Sequence, residues 1–262
     1  MRGSAAYAGV LAVAAVSLGV LLAGCASTAD KEQAASVEQR AALRLQLASA
    51  YYMQNQFVVA LEEAEQAVQL LPGNAQGRGM RALIFAALRQ PVAAEKDFLY
   101  ALRLAPHNPE LSNNYGLFLC HTGRAAQSLA YFDAALQDAA YATPELALHN
   151  AAACSLLMKD YPRAASYWLK AERIAPGAAI TYAGLVRVYY EQQDYRQAAQ
   201  YLERLGKVAT MESQTADVLW LGIKVQHKLG DAGAEAGLGA HLRNHHSGSS
   251  EYAAYQSGAF DE

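Results

Sequence analysis

"NNYGLFLCHTGR", Asn113 to Arg124, sets two side-chain amides and a cysteine into an otherwise apolar and aromatic run. Such a stretch reads as an active-site loop, a metal site, or one turn of a unit that recurs along the chain. Recurrence decides it. Pro72 and Pro106 lie 34 residues apart, and Pro144 and Pro176 follow at a similar interval. Between these prolines helix formers such as Ala, Leu, Gln, Glu and Arg dominate, and period-two runs of Val, Ile and Thr are missing. The chain is therefore expected to be all-α.

The period resembles the tetratricopeptide signature, W-x2-L-G-x2-Y…A-x3-F…P over 34 residues. Residues 41–74 supply Leu47, Ala48, Tyr51, Ala60, Ala67 and Pro72, and residues 75–108 supply Ala82, Phe85, Ala94, Phe98, Ala101 and Pro106. The block from Pro109 has Tyr115, Gly116, Leu119, Ser128, Phe132 and Ala135, then runs two residues long before Pro144. From Glu145 the matches are Ala151, Ala152, Ala164, Trp168, Ala171 and Pro176, and from Ala179 they are Tyr182, Leu185, Tyr189, Ala198 and Leu202. A sixth block, "ADVLWLGIKVQHKLGD", keeps the helix–turn–helix rhythm but drifts from the pattern. Small residues let the two helices of a repeat cross closely, large ones fill the gaps between neighbours, and proline stops the second helix. No pair covers its apolar face alone, so stacking is obligatory, and the expected fold is a right-handed tetratricopeptide-repeat superhelix of about six repeats. "NNYGLFLC", Asn113 to Cys120, then belongs to the first helix of the third repeat, with Tyr115 and Gly116 as packing positions.

The first 25 residues are a different material, with Arg2 as the sole charge before the apolar run "AAYAGVLAVAAVSLGVLLAG". That run is short for a membrane span and has the build of an export signal. It ends in "LAGC", Leu22 to Cys25, which resembles the bacterial lipobox, whose cysteine becomes the lipidated first residue. The competing reading is an anchor helix with a chance cysteine, but the apolar run stops at Cys25 and a polar stretch follows. Ala26 after the cysteine points, by the sorting rule of such lipoproteins, to the outer membrane. The expected organisation is a signal peptide over 1–24, a lipidated N-terminus and tether over 25–40, a repeat solenoid over 41–246 and a tail over 247–262.

In such a solenoid the concave wall comes from one stripe of every first helix. The stripe predicts a partner-binding groove with Leu45, Ser49, Tyr52 and Met53, then Gly79 and Leu83, then Asn113 and Leu117, then His149 and Leu156, and finally Arg187 and Tyr190. This lining is small and apolar, with Arg187 nearly alone as a cation, and it suits an apolar or amphipathic segment of another protein.

Catalytic and cofactor chemistry finds no footing. Over 262 residues the net charge is −3 with no Lys/Arg cluster, which counts against nucleic acid. "GNAQGRG" (Gly73–Gly79) lacks the ending of a phosphate loop and follows no strand, and reads as a repeat boundary. His241 and His245 are four apart but nothing completes a metal set. No catalytic residue, metal, cofactor or small-molecule substrate is expected. Cys120 and Cys154 fall on the first helices of adjacent repeats. An exported protein and an even pair, once Cys25 is committed to lipid, favour a bridge over two separate buried thiols.

"NNYGLFLC", then "YFDAAL", then "YATPELALHNAAAC", then "VLWLGIKVQHKLGD" together resemble the type IV pilus biogenesis lipoproteins, the PilF/PilW pilotins. The similarity runs from the lipobox almost to the C-terminus and includes the two-residue extension before Pro144. The resemblance implies a six-repeat outer-membrane lipoprotein with its repeats in the periplasm. It also implies a pilus secretin as partner, no catalytic residues, and a cysteine pair carried onto Cys120 and Cys154. Competing readings are a repeat lipoprotein serving barrel assembly or cell-wall synthesis, and an enzyme or metal binder using the histidine-rich end.

Overall fold

The computed structural model describes residues 33–260, which fold into α-helices, with no strand among the described residues. The chain divides into two compact units, one ending at Pro106 and the other starting at His107.

The first unit holds two helical hairpins. They are α1 (33–53) with α2 (Phe57–Leu70), and α3 (Ala75–Ala87) with α4 (Pro91–Leu104). The second unit holds four more: α5 (Pro109–His121) with α6 (Ala125–Ala135), α7 (Pro144–Leu157) with α8 (Tyr161–Ile174), α9 (Ala179–Glu191) with α10 (Tyr195–Val208), and α11 (Ala216–Leu229) with α12 (Ala232–His246). A 3-10 turn, Met211–Ser213, lies before α11, and a short helix α13 (Ser250–Ser257) follows α12.

The repeat pattern maps onto the packing. Ala60, Ala94, Ser128, Ala164 and Ala198, one in each of α2, α4, α6, α8 and α10, are all 0% exposed, as close crossing requires. Phe98, Phe132, Trp168 and Leu202 occupy the large position one turn later and are likewise buried. Gly116 shows the constraint from the other side, because a Cβ there would stand 2.8 Å from the Phe132 ring. Each of the first five hairpin turns contains one residue with positive φ: Asn55, Arg89, Gly123, Lys159 and Gln193. Helix starts are fixed locally: Asn74, Asn108, Asp160, Asp194 and Asp231 each accept a backbone N–H from the first turn of the helix they precede. The two extra residues before Pro144 belong to a loop whose Tyr141 ring is buried against Ala135 and Ala147.

The termini correct two expectations. The tether expected over 25–40 is helical from residue 33. Its Glu- and Gln-rich composition suits a solvated helix as well as a linker. The tail expected over 247–262 contains α13, capped by Ser249 and stopped by Gly258 in the left-handed conformation. Tyr252, Tyr255 and Phe260 pack on Leu219, Trp220, Ile223 and Leu242, the face of α11 and α12 that a seventh repeat would cover. Gly239 lets the Tyr255 ring lie flush, since a Cβ there would come within 2.4 Å of it. The signal peptide and Cys25 lie outside the described residues.

Candidate partner-binding face

In the first unit, α1 and α3 carry six of the expected groove residues. Leu45, Ser49, Tyr52 and Leu83 are half-buried, and Met53 is 74% exposed. Tyr52 leans on Phe57 with ring centroids 5.4 Å apart, so it also closes the hairpin. Gly79 corrects the expectation: it is buried rather than open to a groove. A three-charge cluster holds α3 to α4. Asp97, 2% exposed, accepts from Arg78 at 3.1 Å and from two guanidinium nitrogens of Arg81 at 2.6 and 3.0 Å. A buried carboxylate persists only with such pairing.

In the second unit the first helices α5, α7, α9 and α11 touch in sequence, and polar groups mark each seam. Asn113 is 2% exposed and accepts a 2.9 Å hydrogen bond from Asn150, so it is a joint between α5 and α7 rather than a groove contact. The same two helices are joined by the Cys120–Cys154 disulfide, Cα–Cα 5.9 Å. His149 shares a 3.0 Å hydrogen bond with the buried Thr181 of α9 and its ring lies tilted against that of Trp168, centroids 4.9 Å apart. Burial lowers its pKa from 6.5, with nearby Glu145 opposing. Arg187 donates to Asp217 of α11 at 3.0 Å. Leu117, Leu156 and Tyr190 are half-buried against the core.

Sequence reasoning left out Lys224. Its ammonium lies 5.2 Å from the Tyr190 ring centre and 5.6 Å from that of Trp220. Burial lowers its pKa, Arg187 and Lys228 add repulsion, and Glu191 opposes them. The connection from α10 to α11 contains the extra 3-10 turn, so Lys224 falls out of the 34-residue register that located Arg187. Asn150 and Thr181 were missed because their role, pairing with a neighbouring repeat, leaves no mark within one repeat. The His241 and His245 rings lie 6.5 Å apart, and among the described residues no three His, Cys, Asp or Glu gather as a metal set would. None of the described helices is long and apolar enough to cross a membrane.

No family model matches the chain. The type IV pilus assembly protein PilF of Pseudomonas aeruginosa PAO1 is 27% identical over 245 residues, 91% of this chain and 95% of that protein. Among solved structures, PilW, a widely conserved type IV pilus biogenesis factor, is 30% identical with a TM-score of 0.77, covering 83% of this chain and 99% of PilW. A Pseudomonas aeruginosa PilF structure, 24% identical, has the same fold at a TM-score of 0.75 over 85% of this chain and 99% of that one.

Proposed function

The chain belongs to the PilF/PilW family of tetratricopeptide-repeat type IV pilus biogenesis proteins, and from that premise we propose that it is a pilotin. On this reading it is an outer-membrane lipoprotein held at the periplasmic face through acylated Cys25. It binds the pilus secretin and promotes that protein's localisation, multimerisation and the stability of the pilus. The observation that carries the reading is the likeness to PilF and PilW over nearly the whole length of each.

The mechanism is association without catalysis. More than one acyl chain would hold the N-terminus stably, where a single chain binds only marginally. A tethered repeat array raises the local concentration of its partner at the membrane, so a modest groove suffices. The apolar side chains of the first helices, Met53 and Leu83 in one unit and Tyr190 in the other, offer contacts of the kind that anchor a partner segment.

The test is the amount of heat-resistant secretin multimer in outer-membrane fractions, with and without the gene and with Cys25→Ser. Loss of multimers in the deletion, and their mislocation with Cys25→Ser, is the expected result. Normal multimers with missing pili would move the function to pilus stability. Normal multimers and normal pili would overturn the reading and favour an envelope-assembly scaffold.

A further inference from the structure

The seventh residue of the second helix is a tyrosine in three successive repeats and a leucine in the next. Tyr131, Tyr167 and Tyr201 stand at that place in α6, α8 and α10, and Leu238 stands there in α12. Two of the tyrosines reach back to the second helix before their own. Tyr167 donates its hydroxyl to Asp133 of α6 at 2.8 Å, and Tyr201 donates to Glu172 of α8 at 3.4 Å. Both residues are buried, so each contact combines apolar burial of a ring with a phenol–carboxylate hydrogen bond.

Where the tyrosine gives way to Leu238, space is open. Between α10 and α12 lies a cleft of about 410 Å³, whose apolar wall includes Leu202, Met211 and Leu238 and whose polar groups are Glu203, Lys207 and Gln226. That volume accommodates a phenol ring with its hydroxyl. The acceptor for such a hydroxyl is also in place, because Glu203 is the ninth residue of α10 as Asp133 is the ninth of α6. Lys207 donates to Glu203 at 2.6 Å and holds its carboxyl below the ordinary carboxylate range, so the acceptor is ionised. This ion pair is exposed, and such a pair rearranges at little cost. Met211, on the 3-10 turn, reaches over Gly206, where a Cβ would stand 3.2 Å from its methyl, and a methionine side chain adapts readily to an incoming ring. Tyr252 and Tyr255, which follow α12, are already packed on Leu219, Trp220, Ile223 and Leu242, so the chain's own C-terminal segment does not supply that ring.

We propose that the α10–α12 cleft binds a tyrosine side chain of a partner protein, its ring on Leu202, Met211 and Leu238 and its hydroxyl donating to Glu203. The inference rests on the reading of this chain as a partner-binding protein, and not on the partner being the secretin. The incoming tyrosine supplies between α10 and α12 the contact that Tyr167 makes between α6 and α8.

The experiment follows the Met211 methyl resonance of the intact chain, carrying 13C-methyl methionine, during titration with a short alanine peptide containing one tyrosine, acetylated and amidated at its ends. A matched peptide carries phenylalanine instead. The expected result is a saturable shift with the tyrosine peptide and about fivefold weaker binding of the phenylalanine peptide. Glu203→Ala is expected to equalise the two peptides while leaving the circular dichroism unchanged. Leu238→Tyr is expected to fill the cleft with the chain's own ring, raise the unfolding midpoint and abolish the shift. Absence of a saturable shift overturns the proposal, as does equal binding of the two peptides by the unaltered chain or unchanged binding by a folded Leu238→Tyr variant. So does a Met211 shift produced by concentrating the chain alone, which would seat a second copy in the cleft. Secretin multimers are read separately, so normal multimers in Glu203→Ala alongside a discriminating titration would count against the secretin as owner of the tyrosine and leave the cleft standing.

Discussion

Asn150 on α7 donates its side-chain amide to Asn113 on α5 across 2.9 Å, between the two helices that the Cys120–Cys154 disulfide also joins. The polar bond and the covalent one act on the same joint in different ways. The amides fix which residues face each other, because an apolar seam of similar side chains tolerates sliding and a buried amide does not. The disulfide restricts the unfolded chain instead.

Asn150→Ala leaves the Asn113 carbonyl oxygen buried without its cross-helix donor, since Asn113 is 2% exposed. The expected loss is about 1–3 kcal/mol. Urea unfolding checks it, and a change within error would mean that water replaces the lost amide.

The disulfide closes a loop with a sequence separation of 34. Chain-entropy reasoning then assigns it about 4 kcal/mol. The Cys120→Ala, Cys154→Ala double variant should unfold at lower urea than the oxidised protein, and added reductant should lower the unaltered protein's midpoint while leaving the variant's unmoved.

His149 makes stability depend on pH in one direction. Its pKa in the fold is lowered from 6.5 by burial, so the unfolded chain takes up a proton first as pH falls. The contribution is fully present above pH 6.5 and is lost progressively below it, down to the folded pKa. A series of unfolding midpoints across this window should slope downward towards acid, and His149→Gln should flatten the slope. An unchanged slope in the variant would assign the acid sensitivity elsewhere.

The hairpin turns supply an internal comparison. Lys159 has φ 58° and Gly123 has φ 82° at corresponding turns. A side chain is strained there, so Gly123→Ala should cost about 1 kcal/mol, while Lys159→Gly should stabilise by about 0.5–1 kcal/mol. Opposite signs in thermal unfolding are the expected outcome; the same sign for both would show that side-chain contacts, not the backbone, set the energy at these turns.

The repeats were legible because each is dictated by local rules stated several times over. Ala60, Ala94, Ala164 and Ala198 repeat one steric demand, and Asn74, Asn108, Asp160 and Asp194 repeat one capping demand. What occurs once was harder to read. Tyr252, Tyr255 and Phe260 dock on α11 and α12 without a second copy to reveal the pattern, and polar neighbours disguise them as a tail. Asn113 shows a different failure. Helical periodicity assigns a residue to a face but does not say whether open groove or a neighbouring helix lies opposite, and here α7 does. Lys224 escaped because the longer α10–α11 connection shifts the sixth repeat out of phase with the fifth.

A stack of like units has no built-in last member, and any bare terminal layer is a template on which another molecule's layer could settle. By filling that place with its own Tyr252, Tyr255 and Phe260, the chain ends its own series from within. Deleting 247–262 should therefore lay that face of Leu219, Trp220, Ile223 and Leu242 bare and promote self-association, and sedimentation at rising concentration would register the change as growth in mass.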